Sequence, residues 1–475
     1  EGSIAIPMQV PRALASTVCA LVMGYTIVMP ALRDLRQQWH VRVRNLQRSS
    51  NLATVPIDPE QGRTKVDGRD GISNVEKEPL LRVDQEELES AQNSRTATSK
   101  ELLEHLASGR QCGQGAPPPE VMETRLSAPP SSRRNSSTQV DSQVPIGTEK
   151  WSHDQYGPPD APELHGQLRP ELPYNAQLHV EEVVIQTDTS FQGRVSVLLV
   201  KASTPTEAHK PSPRLPVVIA LHATGKTRMQ MWPRMQRFAR HGYLAVAIDS
   251  RYHGTRAKDS DPLNTYKDAL IRAWKKGGER PFLLDTVWDL VRLIDYLVTR
   301  TDVDATRIGM LGVSLGGMHT WLTAAADERI SVAVPMIGVQ GFQWAIDNNR
   351  WQARASSIQW VFEVAARDMR KSEIDSETVK AVWDRISPGL LSHFDAPLSL
   401  RLIAPRALLV LNGALDERNP VEGLQDAVYL TRSAYANFPS HFDVQVEKAV
   451  GHEITKTMDD AAYRWLDEFL KPCSC

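Results

Sequence analysis

From roughly His179 onward the chain alternates between short apolar runs and longer stretches of mixed polarity. Val180–Thr187 and Gly193–Lys201 alternate at the spacing of an antiparallel pair, with Ser190-Phe191-Gln192 near their turn. Pro216–Leu221, Tyr243–Ile248, Arg307–Leu311, Ile330–Ile337 and Arg406–Leu411 are continuous or nearly continuous apolar runs. That pattern suits strands of a parallel sheet covered on both faces. Between them, Met229–His241 and Leu283–Thr299 carry apolar residues at helical spacing, and the residues from Gly254 up to Leu283 read as a polar loop. A helix near Gly423–Ala436, a strand near Phe442–Glu447 and a helix over Met458–Leu470 close the chain. Strand and helix alternating at this spacing predict an α/β fold: a mostly parallel central sheet with helices on both faces. One stretch breaks the rhythm. Residues 338–400 are helical and rich in aromatics, with Phe342, Trp344, Trp351, Trp360, Phe362 and Trp383.

The first third has a different pattern. Ala13 to Leu32 runs twenty positions without a charge, long enough to span a bilayer although Ser16, Thr17, Gly24, Thr26 and Pro30 moderate it. Arg12 precedes it, and Arg33, Arg36, Arg42, Arg44 and Arg48 follow, which would put the C-terminal side in the cytoplasm. Three readings stand for residues 1–50: a membrane anchor through 13–32, a cleaved targeting segment, or an incidental apolar stretch. The first two set the expected location, the cytoplasmic face of a membrane or an organelle. Residues 51–166 are dominated by Ser, Pro, Gln, Glu and Arg, with Ala116-Pro117-Pro118-Pro119 as one low-complexity patch. They predict a disordered linker with one short helix near Lys100–Gly109. Residues 167–475 are then the catalytic domain, with 338–400 inserted in it.

Composition narrows this little. The net charge of −2 over 475 residues gives no sign of a nucleic-acid partner. The cysteines, Cys19, Cys112, Cys473 and Cys475, all lie outside the predicted fold, so neither a disulfide scaffold nor a zinc site is supported, and Cys473-Ser474-Cys475 reads as an ordinary tail.

The candidate chemistry starts at Gly312-Val313-Ser314-Leu315-Gly316-Gly317. An apolar strand precedes it and the small-residue helix from Met318 follows. Strand, G-x-S-x-G and helix describe a nucleophile elbow, in which Gly312 and Gly316 leave room for a sharp turn that exposes the Ser314 hydroxyl. Asp416 follows a later predicted strand, and His452 follows the last one. Glu417 competes with Asp416 for the acidic position.

Ser, then Asp, then His, each after a strand, resembles the α/β-hydrolase superfamily. Asp302-Val303-Asp304, Arg307-Ile308-Gly309 and Ala404-Pro405-Arg406 are similar to its dienelactone hydrolase, acetyl-xylan esterase and dipeptidyl-peptidase-like branch. Asp249-Ser250-Arg251-Tyr252-His253-Gly254 is similar to a run in uncharacterised plant-type hydrolases. The resemblance covers about residues 180 to 472. Dienelactone hydrolases proper usually carry a cysteine nucleophile; Ser314 therefore implies ordinary ester hydrolysis. The resemblance further implies a triad of Ser314, His452 and Asp416. An oxyanion hole would be built from the backbone N–H of Leu315 and that of Thr224 or its neighbour Ala223, which stands where such loops usually have glycine. Residues 338–400 fall where this fold commonly carries a lid, so Trp344 and Trp351 become candidate walls of a substrate pocket. His222, His253 and His319 are expected to be structural.

The resulting expectation is a serine esterase acting on small-molecule esters, with neither metal nor cofactor. A small-peptide aminopeptidase is the alternative within enzymes, but no propeller-like region or acidic pair for an amine terminus is recognisable. A ligand receptor on the hydrolase fold would be betrayed by a damaged triad. An acyltransferase with the same residues is not separable by sequence.

Overall fold

The computed structural model describes residues 99–106, 118–127, 177–203, 214–258 and 262–470. Residues 13–32 and the C-terminal cysteines lie outside the described residues. Among those described, no helix is long and apolar enough to cross a membrane.

Nine strands form one sheet: β1 (Val121–Ser127), β2 (Leu178–Gln186), β3 (Arg194–Ala202), β4 (Leu215–Leu221), β5 (Leu244–Ile248), β6 (Val303–Val313), β7 (Ile330–Met336), β8 (Ala407–Gly413) and β9 (Phe442–Glu447). Their order is β1-β2-β3-β5-β4-β6-β7-β8-β9. The first three strands run antiparallel down to the β3–β5 junction, and β5 through β9 are parallel to their neighbours. The apolar runs lie in the parallel part because both faces there are covered. Along β4, Val217, Ile219 and Leu221 enter one core, and Val218 and Ala220 enter the other. The first core is roofed by the helix Leu284–Leu297, the elbow helix Leu315–Ala326 and the aromatic insertion. The second is roofed by the helices Trp232–Arg240 and Lys456–Leu470.

The connection from β4 leads to β5 on one side, and β6 then lies on the other side of β4. Between the carboxyl ends of β4 and β6 the strand order reverses, the kind of place where open α/β sheets bind ligands. Ser314 follows β6 and the loop from His222 follows β4, so topology brings together two loops far apart in the chain.

Two elements differ from the sequence reading. The expected polar loop contains a helix, Pro262–Lys276. Its buried residues Tyr266, Ala269, Leu270 and Ala273 follow one helical stripe, a signal diluted by the charged residues on the other faces. The expected linker contributes β1, an edge strand antiparallel to β2. An edge strand can be held largely by its neighbour's backbone and needs little apolar sequence of its own. Helical residues 99–106, near the expected Lys100–Gly109, bury Leu102 and Leu106 in the first core, where Arg280 donates to the carbonyls of His105 and Leu106.

The insertion between β7 and β8 is helical, as expected. It is organised around Trp383, which is buried against Phe282, Phe342 and Phe362 at ring-centroid distances of 4.9, 5.4 and 5.1 Å. Asp395 ties its two ends, accepting from the backbone N–H groups of Phe342, Gln343 and Ala396 at 2.9, 2.8 and 2.9 Å.

Candidate active site

The turn after β6 is as sharp as the glycines suggest. A Cβ on Gly312 would stand 2.2 Å from the carbonyl oxygen of Gly316, and one on Gly316 would stand 2.4 Å from that of Leu221. Ser314 itself sits at φ 55°, ψ −108°, a strained conformation for a residue with a side chain. Its N–H donates to Met336 at 2.9 Å, and its carbonyl accepts from Met318 N–H at 2.9 Å. The serine is thereby held as the cap of the elbow helix.

Ser314 Oγ lies 2.8 Å from His452 Nε2, and His452 Nδ1 lies 2.8 Å from Asp416 Oδ2. A carboxylate can only accept, so Nδ1 carries the proton and Nε2 is left to accept from the serine hydroxyl. Three loops, after β6, β8 and β9, meet to make this chain. Asp416 is 2% exposed and accepts three further bonds. Two come from the N–H groups of Arg418 and Asn419 to Oδ1, at 2.9 and 3.1 Å, and one from Asn419 Nδ2 to Oδ2 at 2.9 Å. Burial works to raise the Asp416 carboxyl, but the bond and charge of His452 and the Asn419 donors outweigh it, holding the group below the usual carboxylate range. Burial also pushes His452 below its ordinary value; Asp416 opposes this, and the cations of Arg354 and Arg418 reinforce it. Glu417 is exposed and turned to the cleft, so Asp416 rather than Glu417 meets the histidine.

A cleft of about 330 Å³ opens beside His452, lined by Ala353, Ser356, Leu415, Glu417 and Arg418. Trp344 and Trp351, expected as pocket walls, are not among its lining residues. Trp351 is 9% exposed within the first core, and Trp344 packs on that core with its ring against Gly423. Large aromatics on short helices gain more from burial than from lining an open cleft, so the residues turned to the cleft are the small ones of the next helix, Gln352–Ser356.

In the loop after β4, the N–H of Ala223 already donates to Gln230 Oε1 at 2.8 Å, and Lys226 N–H closes a turn onto the Ala223 carbonyl. Thr224 is half-buried at the tip of that turn. Leu315 is the first residue of the elbow helix, where N–H groups have no partner within the helix.

The expected structural histidines are buried. His222 donates Nδ1–H to the Ala223 carbonyl at 2.8 Å and accepts from Ser250 N–H at 2.9 Å, bracing two loops at once. His253 packs between His222 and Tyr266, and burial lowers both His253 and His319 to about 3, so both are neutral. The Asp249–Gly254 run is part of a buried polar frame. Asp249 accepts from the N–H groups of Arg228 and Thr255, while Arg251 and Arg256 both bond Asp289. Among the described residues, no group of three or more His, Cys, Asp or Glu is placed to hold a metal.

Sequence reasoning missed Asn419, Gln340, Arg354 and the cleft-lining residues. Asn419 had a weak signal, three residues after an acid in a turn. Arg354 had none, because nothing in its neighbourhood marks it as a partner of the loop after β8.

A central parallel sheet, a serine elbow after its middle strand and a histidine loop after its last define the α/β-hydrolase fold. Within that class, residues 178–348 match the acetyl xylan esterase family model. The matched segment includes Ser314 and ends before Asp416 and His452. The chain is similar to the Bacillus subtilis protein named "Putative hydrolase YtaP", with 27% identity over 230 residues, 48% of this chain and 66% of that one. It is also similar to the uncharacterised protein YcjY of Escherichia coli, with 28% identity over 146 residues, 30% of this chain and 40% of that one. It thus spans about two thirds or less of these relatives' lengths. Among solved structures, acetyl xylan esterase 1 of Thermoanaerobacterium aligns with a TM-score of 0.49 at 17% identity, over 78% of this chain and 94% of that one.

Proposed function

We propose that this protein is a serine esterase that cleaves small carboxylic esters through an acyl-enzyme formed on Ser314. The observation that carries the reading is the continuous chain from Ser314 Oγ through His452 to Asp416, at 2.8 Å in both links. His452 Nε2 takes the hydroxyl proton as Oγ attacks the ester carbonyl, and the carbonyl oxygen becomes an oxyanion. The N–H of Leu315 and that of Thr224 are the donors assigned to it; Ala223 is the weaker candidate because its N–H is engaged. The tetrahedral intermediate collapses, the alkoxide leaves with the proton from His452, and Ser314 holds the acyl group. Water then attacks with His452 again as base, releasing the acid. Asp416 keeps the Nδ1–H tautomer throughout and stabilises the charged imidazole. The steps use only residues of this chain.

The family's name points to acetyl esters of carbohydrates as the first substrates to try. A receptor that only binds has no need of this hydrogen-bonded triad, which favours turnover.

The test is intact mass of the protein after exposure to a fluorophosphonate, beside Ser314→Ala, with hydrolysis rates for p-nitrophenyl esters of increasing acyl length. One adduct on the wild type, none on the variant, and a fall in kcat of about 10⁵-fold or more for Ser314→Ala are expected. A folded wild type that takes no adduct and turns over no ester would refute the reading.

A further inference from the structure

Arg354 is 2% exposed, yet no carboxylate lies within ion-pair distance of it among the described residues. Its guanidinium is held by two neutral amides: Nε donates to Gln340 Oε1 at 2.7 Å and Nη2 to Asn419 Oδ1 at 2.5 Å. Burying a cation on such terms is expensive, and an apolar residue of the same volume would fill the space at less cost. Burial accordingly pushes Arg354 down to about 10, with the charge of Asp416 as the chief opposing influence.

The bonds around Asn419 indicate what the cation does. A guanidinium can only donate and a backbone carbonyl can only accept. Arg354 therefore takes Asn419 Oδ1, while the carbonyl of Ile337 takes Nδ2–H at 2.7 Å. Between them they allow one orientation of the amide, the one that also points Nδ2–H at Asp416 Oδ2. Reversed, the amide would set its oxygen against both the carboxylate and the carbonyl. The helix Gln352–Ser356 that carries Arg354 also supplies Ala353 and Ser356 to the cleft wall.

We propose that Arg354 is a positioning residue of the triad, which through Asn419 fixes the orientation and charge of Asp416 and so tunes the basicity of His452, latching the cleft wall to the acid loop. The charged groups around His452 are Asp416, Arg354 and Arg418, with Glu417 across the cleft and the exposed Glu453 next in the chain. Asp416, Arg418 and Tyr266 face Arg354. Of the two cations, Arg418 stays in place when Arg354 is replaced, so removal of Arg354 reads one contribution.

The inference rests on the esterase reading for its kinetic arm, so the experiment has a second arm independent of turnover. His452 is titrated by NMR in the histidine-labelled full chain, its signal assigned by its loss in His452→Gln. In Arg354→Met the titration of His452 and the acid limb of kcat/KM both move to higher pH, by about one unit, and kcat falls with KM nearly unchanged. Arg354→Lys keeps the charge and leaves the acid limb in place. Gln340→Leu, which removes the other amide contact but neither the cation nor Asn419, serves as the packing control. A folded Arg354→Met with an unchanged His452 titration, or one matched by Gln340→Leu, overturns the proposal. Should Arg354→Met not fold, Asn419→Ala decides: a fall in kcat at constant KM supports the relay, and unchanged kcat overturns it. If the wild type hydrolyses no ester while Arg354→Met still shifts the His452 titration, the esterase reading falls and this one stands.

Discussion

Three side chains and one backbone angle set the behaviour of the site at the scale of the residue. Only neutral His452 can accept the serine proton, and burial holds its pKa below the ordinary 6.5. Activity on a neutral ester should therefore persist as the pH falls past 6.5 and decline only at lower pH; a kcat/KM profile with its acid limb at or above 6.5 would contradict this. Asp416→Asn removes the acceptor that holds the Nδ1–H tautomer. On the proposed mechanism it should lower kcat by about 10⁴-fold with KM little changed. The φ of 55° at Ser314 makes a further prediction, about stability. Glycine adopts that angle without strain, so Ser314→Gly, inactive like Ser314→Ala, should be about 1 kcal/mol more stable than Ser314→Ala in urea unfolding. Equal midpoints for the two variants would mean that the elbow stores no strain. Of these residues, Ser314 was plain in the sequence and Asp416 and His452 followed from their order along the chain. Arg354 was not, since its partner is reached only through folding.

The same elbow, as an element, is a junction of three backbones. Gly316 packs against the carbonyl of Leu221, so β4 and the elbow helix cannot separate to admit a methyl group. Gly316→Ala should cost about 3 kcal/mol and take the activity with it; a variant as stable and active as the wild type would show that β4 can yield. Strands and helices were legible where one chemical pattern ran unbroken: β4, β5 and β8 are apolar almost throughout because two helical layers cover them. The helix Pro262–Lys276 was hidden because its buried apolar residues, Tyr266, Ala269, Leu270 and Ala273, stand among polar neighbours. β1 was hidden because an edge strand is specified by the partner it meets more than by its own residues. Trp344 and Trp351 misled for the opposite reason: aromatic content announced burial but not which surface would be buried.

Over the whole molecule, a buried polar frame holds the loop after β5 to the rest of the domain. Asp289 is fully buried and takes bonds from both Arg251 and Arg256, while Arg251 also reaches Asp188. Burial works to raise the Asp289 carboxyl, and the two arginines hold it far below the usual range, so it stays ionised. Asp289→Asn would leave the buried Arg256 without its ion-pair partner, while Arg251 keeps Asp188, and should destabilise the fold by about 3 kcal/mol, measured by denaturant unfolding. A loss under 1 kcal/mol would show that the frame is dispensable. The pattern of apolar runs determined the parallel sheet, and the glycines around Ser314 determined the elbow, because both depend on neighbours within a few residues. The order of the loops after β6, β8 and β9 determined which acid and which histidine could join the serine. Only the tertiary structure decided which residues line the cleft, which tryptophans enter the core and how Asn419 is turned. Those depend on surfaces brought together from distant parts of the chain, and the directions of their donors and acceptors exist only once the packing is complete.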